Sequence, residues 1–251
     1  MTLENIDAVH EMCIWYPDTF EMASTADDVE RIFAEGNIPG MCGIEGEHQI
    51  GGSMRALRMI HKLGARYITL THNGGPGWAD PAVNLDGSFA NDAPLGGLND
   101  FGVSVVREMN RLGMVVDASH VHEATMVKAM EASRAPIMFS HSSTRALCAH
   151  PRDVPDSVLE KLKDNGGIVM IVFLFKFVAG EFWVSGGKVG AMVIEVADQV
   201  EHAVKKWPKS ITWALVGITM VGSFLRGAWK MCLSIRSLPV SFCGDDSQKK
   251  C

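Results

Sequence analysis

The chain has 251 residues, of which 47% are hydrophobic and 21% charged, and its formal net charge is −6. This balance is typical of a globular domain with a sizeable core, and it excludes a disordered or collagen-like chain. No basic stripe accompanies the negative charge, so a nucleic-acid partner is not expected. The six cysteines include no Cys-x-x-Cys pair, which argues against a zinc site built from cysteines.

Helices and strands are predicted to alternate along most of the chain, on the basis of hydrophobic periodicity and capping residues. The predicted helices cover residues 2–13, 24–34, 52–63, 99–112, a segment that starts near 121, 155–163 and 189–206. The predicted strands cover residues 38–44, 67–70, 114–117, 137–139, 168–175 and 211–218. This alternation predicts an α/β fold with parallel strands and crossover helices. In the second helix, Val29, Ile32 and Phe33 are expected to face the core.

Metal-binding residue types follow four consecutive predicted strands. They are Glu45, His72, His120 and His141. The carboxyl ends of parallel strands meet at one edge of a sheet, and in a barrel that edge holds the chemistry. Carboxylate oxygen and imidazole nitrogen suit zinc and similar divalent ions, so the pattern favours a metal-dependent enzyme. Each residue taken alone would more often be an ordinary hydrogen-bonded strand end.

Other interpretations of the sequence are disfavoured. A serine nucleophile in the SHSS run lacks elbow glycines, and adjacent residues at a strand end point apart. The apolar segment 211–225 is shorter than the roughly 20 residues that span a bilayer. The first residues lack the features of a signal peptide, and the tail lacks the apolar segment of a lipid-anchor signal. The cellular compartment is therefore left open.

Several segments together resemble the membrane (renal-type) dipeptidases, a family of zinc peptidases among the amidohydrolase-like barrels. The segments are GIEGEH, TLTHNGGPGWAD, VVDASHV, FSHSS and RDVPD, in this order along the chain. The resemblance runs from about residue 3 to residue 206. It implies a TIM-like (β/α)8 barrel and hydrolysis of the peptide bond of dipeptides by a metal-activated water.

The resemblance also implies a role for each matching residue. Glu45 would bridge two zinc ions, and His120 and His141 would complete the ligands of one of them. His72 would lie beside the scissile amide and stabilise the charge that develops on its oxygen. Arg152 would bind the carboxylate of the substrate through its forked guanidinium. Family members are often homodimeric, which makes a homodimer a further expectation.

The chain also departs from the family pattern. The His-x-Asp pair that holds the other zinc ion does not occur before Glu45, so about six of eight βα units are expected and one ligand pair is missing. From about Ile218 onward no family pattern is found. The expected division is a partial barrel domain over residues 1–218 and an atypical tail over 219–251. We hypothesise a frameshift, a retained intron or a mis-predicted gene model near Ile218, which a transcript continuous in this frame would refute.

Three functions are compatible with these observations. The first is a zinc dipeptidase, the second an inactive fragment that acts at most as a binding protein, and the third a related amidohydrolase on another amide. Zinc content and dipeptide cleavage separate the first two. The substitution Arg152→Ala separates the third, because only a substrate with a free carboxylate needs this side chain. Asp117, just before His120, is either a support for the metal site or a simple strand-end carboxylate.

Overall fold

A parallel β-sheet with its crossover helices makes up most of the part of the chain that the computed structural model describes, residues 2–178 and 192–206. The strands are β1 Phe20–Met22, β2 Ile38–Gly40, β3 Cys42–Glu45, β4 Ala65–Thr69, β5 Val115–Asp117, β6 Met138–Ser142 and β7 Ile168–Ile171. The α-helices are α1 Thr2–Trp15, α2 Ala26–Ala34, α3 Met54–Lys62, α4 Asp100–Leu112, α5 Glu123–Ala132, α6 Asp156–Asn165, α7 Phe175–Val178 and α8 Met192–Lys206. A short 3₁₀ helix covers Glu47–Ile50.

The main sheet has five strands in the order β3-β4-β5-β6-β7, and every neighbouring pair is parallel. A helix lies in each connection, so the predicted α/β alternation is confirmed. Strands that follow one another in chain order, without a reversal, are the arrangement of a (β/α)8 barrel. The carboxyl ends of all five strands therefore meet at one edge. The predicted strand 211–218 and the predicted tail lie outside the described residues.

The strand predicted over residues 38–44 is in fact two strands. Its first half, β2, pairs in parallel with β1, with Phe20 opposite Ile38. Its second half, β3, pairs with β4 in the main sheet. The strand β1 was not predicted, because a three-residue strand offers too little alternation to detect.

The strand predicted over residues 168–175 ends early, at Ile171, and Phe175–Val178 is helical. The prediction was wrong there because a continuous apolar run has no periodicity that separates a buried strand from a buried helix. The helix brings Phe177 to the carboxyl edge of the sheet, where its ring contacts other side chains of the site.

Helix α2 begins as predicted but buries less than predicted. Thr25 caps it in a reciprocal capping box with Asp28. Ile32 is fully buried, whereas Val29 is 37% and Phe33 76% exposed, so two of the three expected core residues face solvent. The helix packs chiefly against the short strand β2, which is too small to cover the whole apolar stripe.

The core lies between the main sheet and its helices. The deeply buried aliphatic side chains of the helices include Ile32, Leu57, Val105, Val106, Met109, Met126, Val158, Leu159 and Leu162. Each such side chain contributes on the order of 2 kcal/mol through removal of apolar surface from water. Asn99 caps α4 as predicted. None of the described helices has both the length and the apolar composition needed to cross a bilayer.

Candidate metal centre

The structure brings all four predicted strand-end residues to one point at the carboxyl edge of the sheet. Glu45 is the last residue of β3, His141 lies within β6, and His72 and His120 follow β4 and β5. The Glu45 Oε1 atom lies 2.7 Å from His120 Nε2 and 3.0 Å from His141 Nε2. The Glu45 Oε2 atom lies 3.7 Å from His72 Nε2. One carboxylate is thus surrounded by three imidazoles.

The donor atoms are close enough to share one ion. Glu45, His72 and His120 each offer a ligand atom, and these atoms all lie within 4.8 Å of one another. His141 is an equally near candidate, since its Nε2 lies 2.8 Å from His120 Nε2. The ligand set implied by the family resemblance contains His141 in place of His72. Both sets share Glu45 and His120, and the division of roles between the other two histidines stays a prediction.

Charge and burial also suit a divalent cation. Burial alone would raise the pKa of Glu45, but the adjacent side chains of His120 and His141 outweigh it, and the pKa lies well below its usual range. Burial lowers the pKa of His120 to about 3, so its imidazole is neutral at pH 7. Glu45 Oε1 is buried and has no hydrogen-bond partner. An anionic oxygen that faces imidazole nitrogens is a donor set of the kind that holds zinc.

Arg152 lies beside this cluster with its guanidinium incompletely paired. Its Nη2 lies 2.7 Å from His120 Nε2, and its guanidinium carbon lies 4.2 Å from the centre of the Phe177 ring. Its Nε is buried without a hydrogen-bond partner. Burial lowers the pKa of Arg152 to about 10, which leaves it charged at neutral pH. Within residues 2–178 and 192–206 no carboxylate forms an ion pair with it, so its positive charge has no direct anionic partner there.

Arg145 holds the loop that carries Arg152, and sequence reasoning missed it. Its side chain donates hydrogen bonds of 3.0 Å to the backbone carbonyls of Pro151 and Asp153, the two neighbours of Arg152. Its Nη1 also pairs with Glu123 Oε2 at 2.6 Å, at the start of α5. The guanidinium therefore fixes both sides of the Arg152 backbone to a rigid helix.

The backbone of His120 is held in a strained conformation. Its φ of 67° is the only positive value at a non-glycine position among the described residues. Such a residue costs on the order of 1–3 kcal/mol and persists where its surroundings fix it, often at functional sites. Here the His120 carbonyl accepts hydrogen bonds from Ala82 N at 2.8 Å and from Thr71 Oγ1 at 3.1 Å. The long loop after β4 therefore fixes the position of His120.

The fold and the donor set together define a candidate metal centre on a barrel-type α/β fold. The chain belongs to the membrane dipeptidase family, peptidase family M19, whose family model matches residues 1–225. Dipeptidase tcpJ of Claviceps purpurea is 47% identical over 174 residues, which are 69% of this chain and 39% of that protein. Dipeptidase verJ of Clonostachys rogersoniana is 41% identical over 201 residues, 80% of this chain and 48% of that protein.

Solved structures of similar fold include a probable dipeptidase and a metallo peptidase. The probable dipeptidase PvdM from Pseudomonas aeruginosa matches with a TM-score of 0.70 at 21% identity, over 80% of this chain and 63% of that one. A metallo peptidase from Rhodobacter sphaeroides, liganded with a phosphinate mimic of L-Ala-D-Ala, matches with a TM-score of 0.61 at 24% identity, over 75% and 52%. These likenesses confirm the expected barrel-type fold. The chain spans less than half the length of the two curated relatives above.

Proposed function

We propose that this protein is a zinc-dependent dipeptidase that hydrolyses the single peptide bond of a dipeptide. The observation that carries the proposal is the Glu45 carboxylate among three imidazoles, next to a buried guanidinium whose Nε has no hydrogen-bond partner. Membership of the membrane dipeptidase family supports it. Metal ligands and an anion-binding arginine side by side suit a small substrate with a free carboxylate next to the bond that is cleaved.

Glu45, His120 and His141 are the proposed ligands of one zinc ion. Two observations support the fit: Glu45 Oε1 is buried without a hydrogen-bond partner, and both Nε2 atoms lie within 3.0 Å of it. A zinc ion bound there would lower the pKa of a water toward neutrality and polarise the substrate carbonyl. No His-x-Asp pair occurs in the sequence, so the proposal is limited to one ion.

Arg152 is the proposed binding group for the carboxylate of the dipeptide. A guanidinium and a carboxylate form two parallel charge-assisted hydrogen bonds, which are among the stronger polar interactions in proteins. The unpaired Nε supplies one of the two donors. The Phe177 ring behind the guanidinium limits its movement and excludes water from that side. Arg152 would thus orient the substrate before its amide reaches the metal ligands.

His72 is proposed to stabilise the charge on the substrate oxygen. Its ring stacks on that of His120, with 4.5 Å between the ring centres, and its side chain is 35% exposed. Burial lowers the pKa of His72, so the ring is neutral at pH 7 and has one N–H to donate. A donor aimed at an oxygen that becomes negative during the reaction lowers the barrier, typically by a few kcal/mol.

The experiment measures zinc content and hydrolysis of Ala-Ala and of its carboxamide by the purified chain. L-Ala-D-Ala is included, because the Rhodobacter sphaeroides structure holds a mimic of it. We expect one zinc ion per chain, cleavage of dipeptides, and a loss of at least about 100-fold in kcat/KM for Arg152→Ala on the free acid, in line with a lost charged pair. The exposed Arg107 supplies the control Arg107→Ala.

The outcomes separate the three hypotheses. A chain that binds zinc but cleaves no dipeptide would favour the inactive binding protein. A chain that cleaves the carboxamide as well as the free acid, and that is indifferent to Arg152→Ala, would favour an amidohydrolase on another amide. Either outcome would contradict the dipeptidase proposal.

A further inference from the structure

We propose that Asp117 acts through Ser140 to hold the proton of His141 on Nδ1, which keeps His141 Nε2 free as a metal ligand. The inference rests on the proposed function in one respect, the assignment of His141 as a ligand. Asp117 and Ser140 touch neither the metal position nor the substrate position, so both are positioning residues.

Asp117 is a fully buried carboxylate directly beneath the site. Its Oδ1 accepts hydrogen bonds from the backbone amides of Ser119 and Ser140, at 3.0 and 2.9 Å. Its Oδ2 faces two hydroxyl groups, Thr69 Oγ1 at 2.6 Å and Ser140 Oγ at 2.5 Å. An ionised carboxylate can only accept, so each of the four groups donates to it. Asp117 thereby joins the ends of β4, β5 and β6.

The single hydroxyl proton of Ser140 decides the state of His141. Because that proton points to Asp117 Oδ2, the Ser140 oxygen presents only lone pairs to its other neighbours. These are Ser119 Oγ at 3.4 Å, which can donate its own proton, and His141 Nδ1 at 2.7 Å. A hydrogen bond between Ser140 Oγ and His141 Nδ1 therefore requires the proton on Nδ1. A neutral imidazole has only one N–H, so Nε2 carries a lone pair.

This lone pair points toward the proposed metal position. His141 Nε2 lies 3.0 Å from Glu45 Oε1, and under this assignment neither atom has a proton to share. Two acceptors that face each other at this distance repel unless a cation lies between them. Residues behind a metal-binding histidine commonly fix its tautomer in this way, and their loss typically costs 10–100-fold in metal affinity.

Loss of the hydrogen bonds that link Asp117, Ser140 and His141 would allow the imidazole proton of His141 to move from Nδ1 to Nε2. In Ser140→Ala, Nδ1 has no acceptor, whereas Glu45 Oε1 can accept a proton from Nε2. The imidazole would then switch to the Nε2–H tautomer, and its proton would block the ligand atom. In Asp117→Asn, the amide NH₂ would donate to Ser140, and the Ser140 proton would turn toward Nδ1. Both substitutions predict the same switch by different routes.

The test uses the full chain with ¹⁵N-labelled histidine, free of metal, and reads the tautomer of His141 from its ring nitrogen shifts. The signal is assigned by its loss in His141→Gln. Zinc affinity is measured separately by competition with a chelator. The matched control is Ser143→Ala, because Ser143 Oγ is equally buried but has no hydrogen-bond partner.

We expect Nδ1–H in the wild type and in Ser143→Ala, and Nε2–H in Ser140→Ala and Asp117→Asn. Zinc affinity should fall 10–100-fold in the latter two alone. An Nε2–H tautomer in the wild type would overturn the inference without any variant, even if Ser140→Ala failed to fold. Equal affinity losses in Ser140→Ala and Ser143→Ala would also overturn it. A chain with the expected tautomers that cleaves no dipeptide would instead contradict only the proposed function.

Discussion

Arg145 gives the sharpest test of how the substrate-binding arginine is held. In Arg145→Gln the two hydrogen bonds to the carbonyls of Pro151 and Asp153 and the ion pair with Glu123 are lost. Hydrogen bonds from a charged group contribute about 1.5–3 kcal/mol each. The Arg145 side chain is 27% exposed, so solvent screening reduces this, and a total of about 2 kcal/mol is reasonable.

If that free energy serves to position Arg152, its loss weakens substrate binding by about 30-fold. The assay compares steady-state kinetics on Ala-Ala and on its carboxamide. We expect a KM increase of this order for the free acid, with kcat nearly unchanged, and no KM change for the carboxamide, which does not use Arg152. Urea unfolding of the same samples measures how much of the lost free energy appears as a lower free energy of unfolding.

Two matched variants separate positioning from general loss of structure. Glu123→Gln keeps both carbonyl contacts of Arg145 and should change KM only slightly. Arg111→Gln removes an exposed arginine that pairs with Glu108 far from the loop, and it should leave KM unchanged. Equal KM increases for the acid and the carboxamide in Arg145→Gln would show that Arg145 does not position Arg152.

Two further predictions concern stability. Gly97 has a φ of +96°, and an added Cβ would lie 2.4 Å from the Ala124 carbonyl oxygen. Gly97→Ala should therefore lower the free energy of unfolding in urea by at least about 2 kcal/mol. An unchanged free energy of unfolding would contradict this loop geometry. Burial raises the pKa of Asp153 from 3.8 to about 7, so the folded chain retains a proton that the unfolded chain releases, and stability falls as pH rises between these values. The free energy of unfolding of Asp153→Asn should therefore rise by up to about 4 kcal/mol relative to that of the wild type between about pH 4 and pH 8. A difference between the two proteins that does not change with pH would exclude this titration.

The residues of the candidate site could be predicted because each follows a strand that the hydrophobic pattern predicts. Glu45, His72, His120 and His141 stand where an apolar run meets a polar turn, and parallel strands bring such positions together. The structure confirms that they converge. The cap of α4 by Asn99 was predictable for a similar reason, because side-chain capping depends on a few adjacent residues.

Features that depend on distant backbone could not be predicted. Arg145 donates hydrogen bonds to the backbone carbonyls of Pro151 and Asp153. Every residue type has a backbone carbonyl, so the sequence does not indicate which carbonyls accept such a bond. The positive φ of His120 depends on donors from the loop after β4. Phe33 is exposed because its packing partner β2 is too short to cover it. The residues of α2 alone do not indicate how long that strand is.

The central claim is that Glu45, His120 and His141 bind one zinc ion. Its most direct test is an anomalous difference map, measured at the zinc edge, from crystals of the zinc-loaded chain. We expect one peak at roughly 2.0–2.2 Å from a Glu45 carboxylate oxygen and from the Nε2 atoms of both histidines. A peak bound by other residues, or no peak at saturating zinc, would contradict this claim.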